Sequence, residues 1–92
     1  MYKKYFFLHN LTDEEVRSQG VTMGQFTTSA GNTYSVWVME NYKGIDIIVL
    51  IHEADKEIAG ILNAQTGNIL YLHPRSIDGA LRIWNISYFF QH

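Results

Sequence analysis

His52 followed by Glu53 opens like the zinc-protease signature, in which a second histidine four positions on meets the metal one helical turn later. Position 56 is Lys, and the segment closes a run of strand formers rather than lying in a helix. The motif fails on both counts. Of the four histidines, His9, His52 and His73 each end a predicted strand. Strands ending at 52 and 73 run the same way with one antiparallel strand between them, which sets their ends about 9–10 Å apart at about 4.8 Å per strand. Bonds from zinc to its ligands are about 2 Å long, so that gap is too wide for a shared ion. The chain has no Cys, which removes thiolate metal sites, cysteine nucleophiles and disulfides together. No metal and no cofactor are expected.

Asp46 is the one carboxylate inside the most apolar run, Ile45 to Ile51. Buried there, it could take part in acid–base chemistry; the competing reading is a hydrogen bond to a neighbouring turn. The serines at 18, 29, 35, 76 and 87 lie in no Gly-x-Ser-x-Gly turn. The seven glycines form neither a Walker loop nor a Gly-x-Gly-x-x-Gly turn. Tyr2, Tyr5, Phe6, Phe7, Tyr34 and Trp37 could line a base-stacking sheet face. However, seven basic residues spread along the chain against nine acidic ones make no phosphate-binding footprint. The sequence is read as non-enzymatic and as binding no nucleic acid.

The elements that would position these residues must come from one core. A chain of 92 residues is the size of a single domain, 1–92, and buries roughly 64% of its unfolded surface. Its 47% hydrophobic and 14% aromatic content can fill such a core and excludes a disordered chain. The longest uncharged apolar run, Ile47 to Ile51, is far short of the roughly 20 residues of a membrane span. Tyr5 to Leu8 is likewise too short for a signal-peptide core. A cytoplasmic protein with no membrane partner is expected. Abundant Ile, Asn, Tyr, Phe and Lys, all with AT-rich codons, point to a bacterial or phage genome.

Thr12 and Glu15 have the spacing of a capping box, with Leu11 and Val16 placed as its hydrophobic staple and Gly20 as the stop. A helix over 13–19 is predicted, too short to stand alone. Strands are predicted at 2–9, at 21–28 with a bulge at Gly24, and at 34–40, 45–52, 57–62 and 69–73. Loops this short allow only antiparallel hairpins. The apolar run from Ile45 marks a central strand covered on both faces. After Ser76, two patterns compete: Ile77, Leu81, Trp84 and Tyr88 make a helical stripe, while Trp84, Ile86, Tyr88 and Phe90 alternate as a strand would. The cap and Ala80-Leu81-Arg82 favour the helix. The fold class is α+β: a five- to six-stranded antiparallel meander with a short N-terminal helix and a C-terminal one.

Residues Glu57 to Leu70, with the turn Asn63-Ala64-Gln65-Thr66-Gly67, resemble the final hairpin of PepSY-type domains. Asn63 stands where that family has Asp. The resemblance covers about fourteen residues and implies a hairpin; no activity is carried over from it.

Eight aromatics lie within nine residues of either end, more than a short helix and one sheet need. Tyr2, Tyr5, Phe7, Ile83, Phe89 and Phe90 are therefore expected at a protein interface, with a partner or a second copy. The expected function is a small non-catalytic protein-binding module that inhibits or regulates a larger partner. Phage and mobile-element inhibitors of the anti-CRISPR or anti-restriction kind, and immunity proteins, have this profile of size and composition. The alternative is a small-ligand-binding or hydrolytic domain using Asp46 and the strand-end histidines.

Overall fold

The computed structural model describes residues 10–73. Helix α1 is Asp13–Gln19, followed by strands β1 (Val21–Thr27), β2 (Thr33–Tyr42), β3 (Ile45–His52), β4 (Glu57–Asn63) and β5 (Ile69–Leu72). The strands form one antiparallel sheet in sequential order, with β3 in the centre. The meander and the α+β class stand as expected. The predicted strand at 2–9, the segment 76–90 and the six interface residues Tyr2, Tyr5, Phe7, Ile83, Phe89 and Phe90 lie outside the described residues.

Alternation along β3 divides the core in two. Ile47, Val49 and Ile51 join Leu11, Val16, Met39, Tyr42 and Ile61 on the face that carries α1. Ile48 and Leu50 point the other way and cluster with Tyr34, Val36, Ala59 and Leu62. Every one of these five β3 side chains is at most 2% exposed, so the central strand is covered on both faces.

Helix α1 begins as the capping pattern requires. Thr12 has extended backbone and its hydroxyl accepts from the Glu15 N–H at 3.2 Å. The other half of the box differs, because the Glu15 carboxylate accepts from the Tyr42 hydroxyl at 3.2 Å and so ties the helix to β2. Gly20 ends the helix, though not through a left-handed backbone: its φ is −92°. A Cβ there would lie 2.8 Å from the Val16 carbonyl oxygen and 3.2 Å from the Val38 carbonyl oxygen, so only glycine lets the helix end against β2. Thr12→Ala is expected to lower stability by about 0.5–2 kcal/mol through the lost cap. A melting temperature unchanged by the substitution would contradict it.

Each of the four strand pairs carries one register irregularity. The bulge expected at Gly24 lies between Thr22 and Gly24. The irregularity between Met39 and Tyr42 has no counterpart in the sequence pattern, and it has a purpose. Strict alternation from Met39 would turn Tyr42 away from the helix. The extra residue, with Asn41 at φ 52°, returns Tyr42 to the helix face, where it is buried against Leu11 and Val16 and meets Glu15. Burial and the neighbouring Glu15 carboxylate both push the Tyr42 phenol above its ordinary range.

The β2–β3 connection is shorter than the expected turn over 41–44: Tyr42 pairs with Ile45 across Lys43 and Gly44 alone. Both have positive φ, 49° and 95°, the type I′ geometry that suits the twist of a hairpin. Lysine there costs roughly 1 kcal/mol of left-handed strain. About 0.5 kcal/mol of that is offset by its ammonium over the Tyr42 ring, 5.9 Å from the centroid. Lys43→Asn, which tolerates this backbone, is therefore expected to stabilise the protein by about 0.5 kcal/mol. Urea unfolding measures it, and a lower midpoint would count against the turn assignment.

Candidate functional site

Antiparallel register aligns a row of side chains across the face away from α1. Phe26 pairs with Tyr34, Tyr34 with His52, and His52 with Glu57. The Phe26 and Tyr34 rings stack at 5.5 Å, and the Tyr34 and His52 rings meet at 5.2 Å with a 38° tilt. The His73 N–H donates to the Ala59 carbonyl at 2.9 Å, which brings the end of β5 alongside. Between these groups lies a cavity of about 130 Å³ whose polar lining is Asn32, Tyr34, His52, Asp55, Glu57 and His73.

Both ring nitrogens of His52 are engaged. Nδ1 lies 3.0 Å from Asp55 Oδ1 and Nε2 lies 3.2 Å from Asn32 Oδ1. The Asp55 carboxylate also accepts from the Glu57 N–H at 3.1 Å. Burial alone would raise the Asp55 pKa, but the Glu57 N–H and the His52 ring outweigh it and hold the group below its ordinary value. His73 Nε2 stands 3.6 Å from Glu57 Oε1. The two strand-end histidines therefore share one cavity, each facing a carboxylate. His9 lies outside the described residues, and among the described residues no three His, Cys, Asp or Glu groups are placed to hold a metal ion.

Asp46 does not belong to this cavity. It sits six residues from His52 along β3, about 20 Å away at about 3.4 Å per residue. Half-buried, it accepts from the Asn41 N–H at 2.6 Å and from the Gln65 amide at 3.3 Å, and so braces two turns. Asn41, Asn63 and Gln65 line a separate cleft of about 250 Å³ with it. Of the strand-end histidines expected together with Asp46 in a ligand-binding or hydrolytic domain, His52 and His73 do not share a site with it.

A second polar cluster lies on the helix face. The Glu53 carboxylate accepts from Arg17 at 2.6 Å, from Lys56 at 3.0 Å and from the Ser35 hydroxyl, which itself accepts from the Trp37 indole at 2.8 Å. The Arg17 guanidinium lies over the Trp37 ring, 5.5 Å from its centroid. Burial alone would raise the Glu53 pKa. The hydrogen bonds from Ser35, Lys56 and Arg17 and the Arg17 charge overcome it and set the value at about 2. Arg17 also meets Asp13 at 3.2 Å, so two carboxylates face two cations, and the cluster clamps α1 to the β3–β4 turn.

The third feature is β1 itself. Among the described residues it is the first strand of the sheet, and no residue of Val21–Thr27 is charged. Val21 is 65% exposed and Met23 52%. Natural sheets usually guard such an edge with lysine, proline or a bulge. Among the described residues this one has the bulge between Thr22 and Gly24 and neither lysine nor proline.

Set beside protein-family models, characterised proteins and solved structures, the chain matches none of them. Among the described residues no helix is long and apolar enough to cross a membrane. Sequence reasoning singles out His52 and His73 but passes over Asn32, Asp55 and Glu57. A signal for two of them exists: a polar turn of four residues after His52 pairs it with Glu57 and leaves Asp55 within reach of its ring.

Proposed function

We propose that the protein is a non-catalytic binding module that inhibits or regulates a larger protein partner and engages it through edge strand β1. The observation that carries this reading is a seven-residue strand without a charge, at the edge of the sheet among the described residues, with Val21 and Met23 exposed on it. An extended segment of a partner can add to such an edge through backbone hydrogen bonds, with its apolar side chains laid against Val21 and Met23. Small inhibitors of phage or mobile-element origin are the class that the size and composition favour.

The test is capture of a partner by the tagged protein, repeated with Met23→Lys. A lysine at an edge opposes strand addition, and Met23 is too exposed for the change to unfold the domain. Partner capture should fall about tenfold or more, the equivalent of about 1.4 kcal/mol, with an unchanged melting temperature. Undiminished capture by Met23→Lys would remove β1 from the interface.

A second reading is favoured by the cavity at His52 and His73: a domain that binds a small polar ligand. It includes the two histidines and excludes Asp46.

A further inference from the structure

We propose that Met23 is a reversible oxidation site: a peroxide converts its thioether to the sulfoxide, and strand β1 so modified no longer takes up a partner segment. The second half of this rests on the edge-strand reading above, and the first half does not.

Position singles out this sulfur. The chain holds three methionines, at 1, 23 and 39, and no cysteine, so thioethers are its only sulfur. Met1 lies outside the described residues. Met39 is 2% exposed, in the core cluster with Val16, whereas Met23 is 52% exposed. Register explains the difference. Thr22 pairs with Trp37 and Gly24 with the adjacent Val36, so Met23 is the extra residue of the bulge and faces no residue of β2. The bulge has a defined backbone: Gly24 takes φ 108°, and its N–H donates to Thr22 Oγ1 at 3.2 Å. It holds the thioether in solvent on the strand that the partner segment would cover.

The chemistry needs only a peroxide. A sulfur lone pair attacks one oxygen of hydrogen peroxide, an S–O bond forms and the O–O bond breaks. The departing hydroxide takes the proton of the transferred hydroxyl and leaves as water, so sulfur is oxidised by two electrons and the peroxide is reduced. Methionine sulfoxide reductases reverse the change, two thiols closing to a disulfide while the oxygen leaves as water. The modification adds no net charge, but it turns a flexible apolar side chain into a polar one. Covered by an apolar partner segment, the sulfoxide oxygen would be buried without a hydrogen-bond donor, which opposes binding. In the free protein it stays in water and leaves the core untouched.

In the experiment the whole protein is treated with hydrogen peroxide, and the peptides carrying Met23 and Met39 are followed by mass spectrometry. Met23 should gain one oxygen at least about tenfold faster than Met39, because a buried sulfur must wait for local opening. Protein modified at Met23 alone should keep its melting temperature. It should capture at least about fivefold less of the protein that the untreated form holds, and sulfoxide reductases with dithiothreitol should restore capture. Met23→Leu, apolar and without sulfur, should capture equally before and after peroxide. Equal rates at Met23 and Met39 would overturn the proposal, as would undiminished capture by the Met23 sulfoxide or a loss that Met23→Leu shares. If Met23→Leu does not fold, the reductase arm decides in its place, and capture that reduction fails to restore counts against the switch. The Met23→Lys variant separates this proposal from the reading beneath it. Capture lost with lysine and kept with the sulfoxide leaves the edge-strand reading standing and sinks the switch. Capture kept with both removes β1 from the interface and the regulation with it, as does an untreated protein that captures nothing, whereas the relative oxidation rates are measured without any partner.

Discussion

Ile61→Ala is expected to destabilise the protein by about 2–5 kcal/mol. Ile61 is fully buried on the helix face, in the cluster that holds Val16, Val49 and Ile51, and it pairs with Val49 on one side and Tyr71 on the other. Backbone of β3 and β5, paired to β4 on either side, limits collapse into the void, so a cavity penalty adds to the lost transfer energy. Domains of this size have only about 5–15 kcal/mol in total. The upper end of the range would leave a large unfolded fraction at 37 °C. Ile69→Ala serves as the control: its side chain is 38% exposed and the loss should stay at roughly 1 kcal/mol or less. Urea unfolding of both variants compares them. Equal midpoints would mean that the two-sided core around β3 is not the main source of stability.

Glu53→Gln is expected to cost about 1–3 kcal/mol at neutral pH. Lys56 would lose its carboxylate, Arg17 would keep only Asp13, and the Ser35 hydroxyl would lose a charged acceptor. The pH dependence has a definite sign. The folded-state pKa is lowered from 4.5 to about 2, so the carboxylate's contribution is present above about 4.5 and disappears as the pH falls through 2. A displacement of that size corresponds to roughly 3 kcal/mol as an upper bound. The Lys56 side chain is 55% exposed, and solvent screening on that side brings the figure down. Wild type and Glu53→Gln should therefore differ most at pH 7 and converge near pH 2. A difference that stays constant across that range would show that Glu53 contributes shape and not charge.

Local signals are legible in the sequence and non-local ones are not. Thr12, the Leu11–Val16 pair and Gly20 delimit α1 to the residue, because caps and stops act within one turn. The uninterrupted apolar run marks β3 as an interior strand with both faces covered, because an edge or one-sided strand alternates with polar residues. The irregularity at Asn41 leaves no such mark. It depends on where Tyr42 must point, and that depends on a helix residue, Glu15, 27 positions earlier. The Glu53 cluster joins residues 36 and 18 positions apart, beyond any window in which periodicity operates. The cavity is half visible, for two histidines stand out at strand ends but the row from Tyr34 to Glu57 follows from register. Register in turn follows from turns whose lengths the residue types only bracket.

The sequential order of the strands also bears on how the chain finds its fold. Each strand pairs only with the ones before and after it, and the tightest connection, two residues long, joins β2 to the central β3. Long loops need not close before pairing is rewarded, so the contact order of residues 10–73 is low for a structure built mainly of strands. Sheets with Greek-key connections fold in milliseconds to seconds because distant segments must meet first. Here a β2–β3 hairpin can form within about 10 µs and offer both of its edges as templates. β4 then adds on one side and β1 on the other. On this topology folding is expected to proceed outward from the middle of the described chain, with β1 among the later strands to pair.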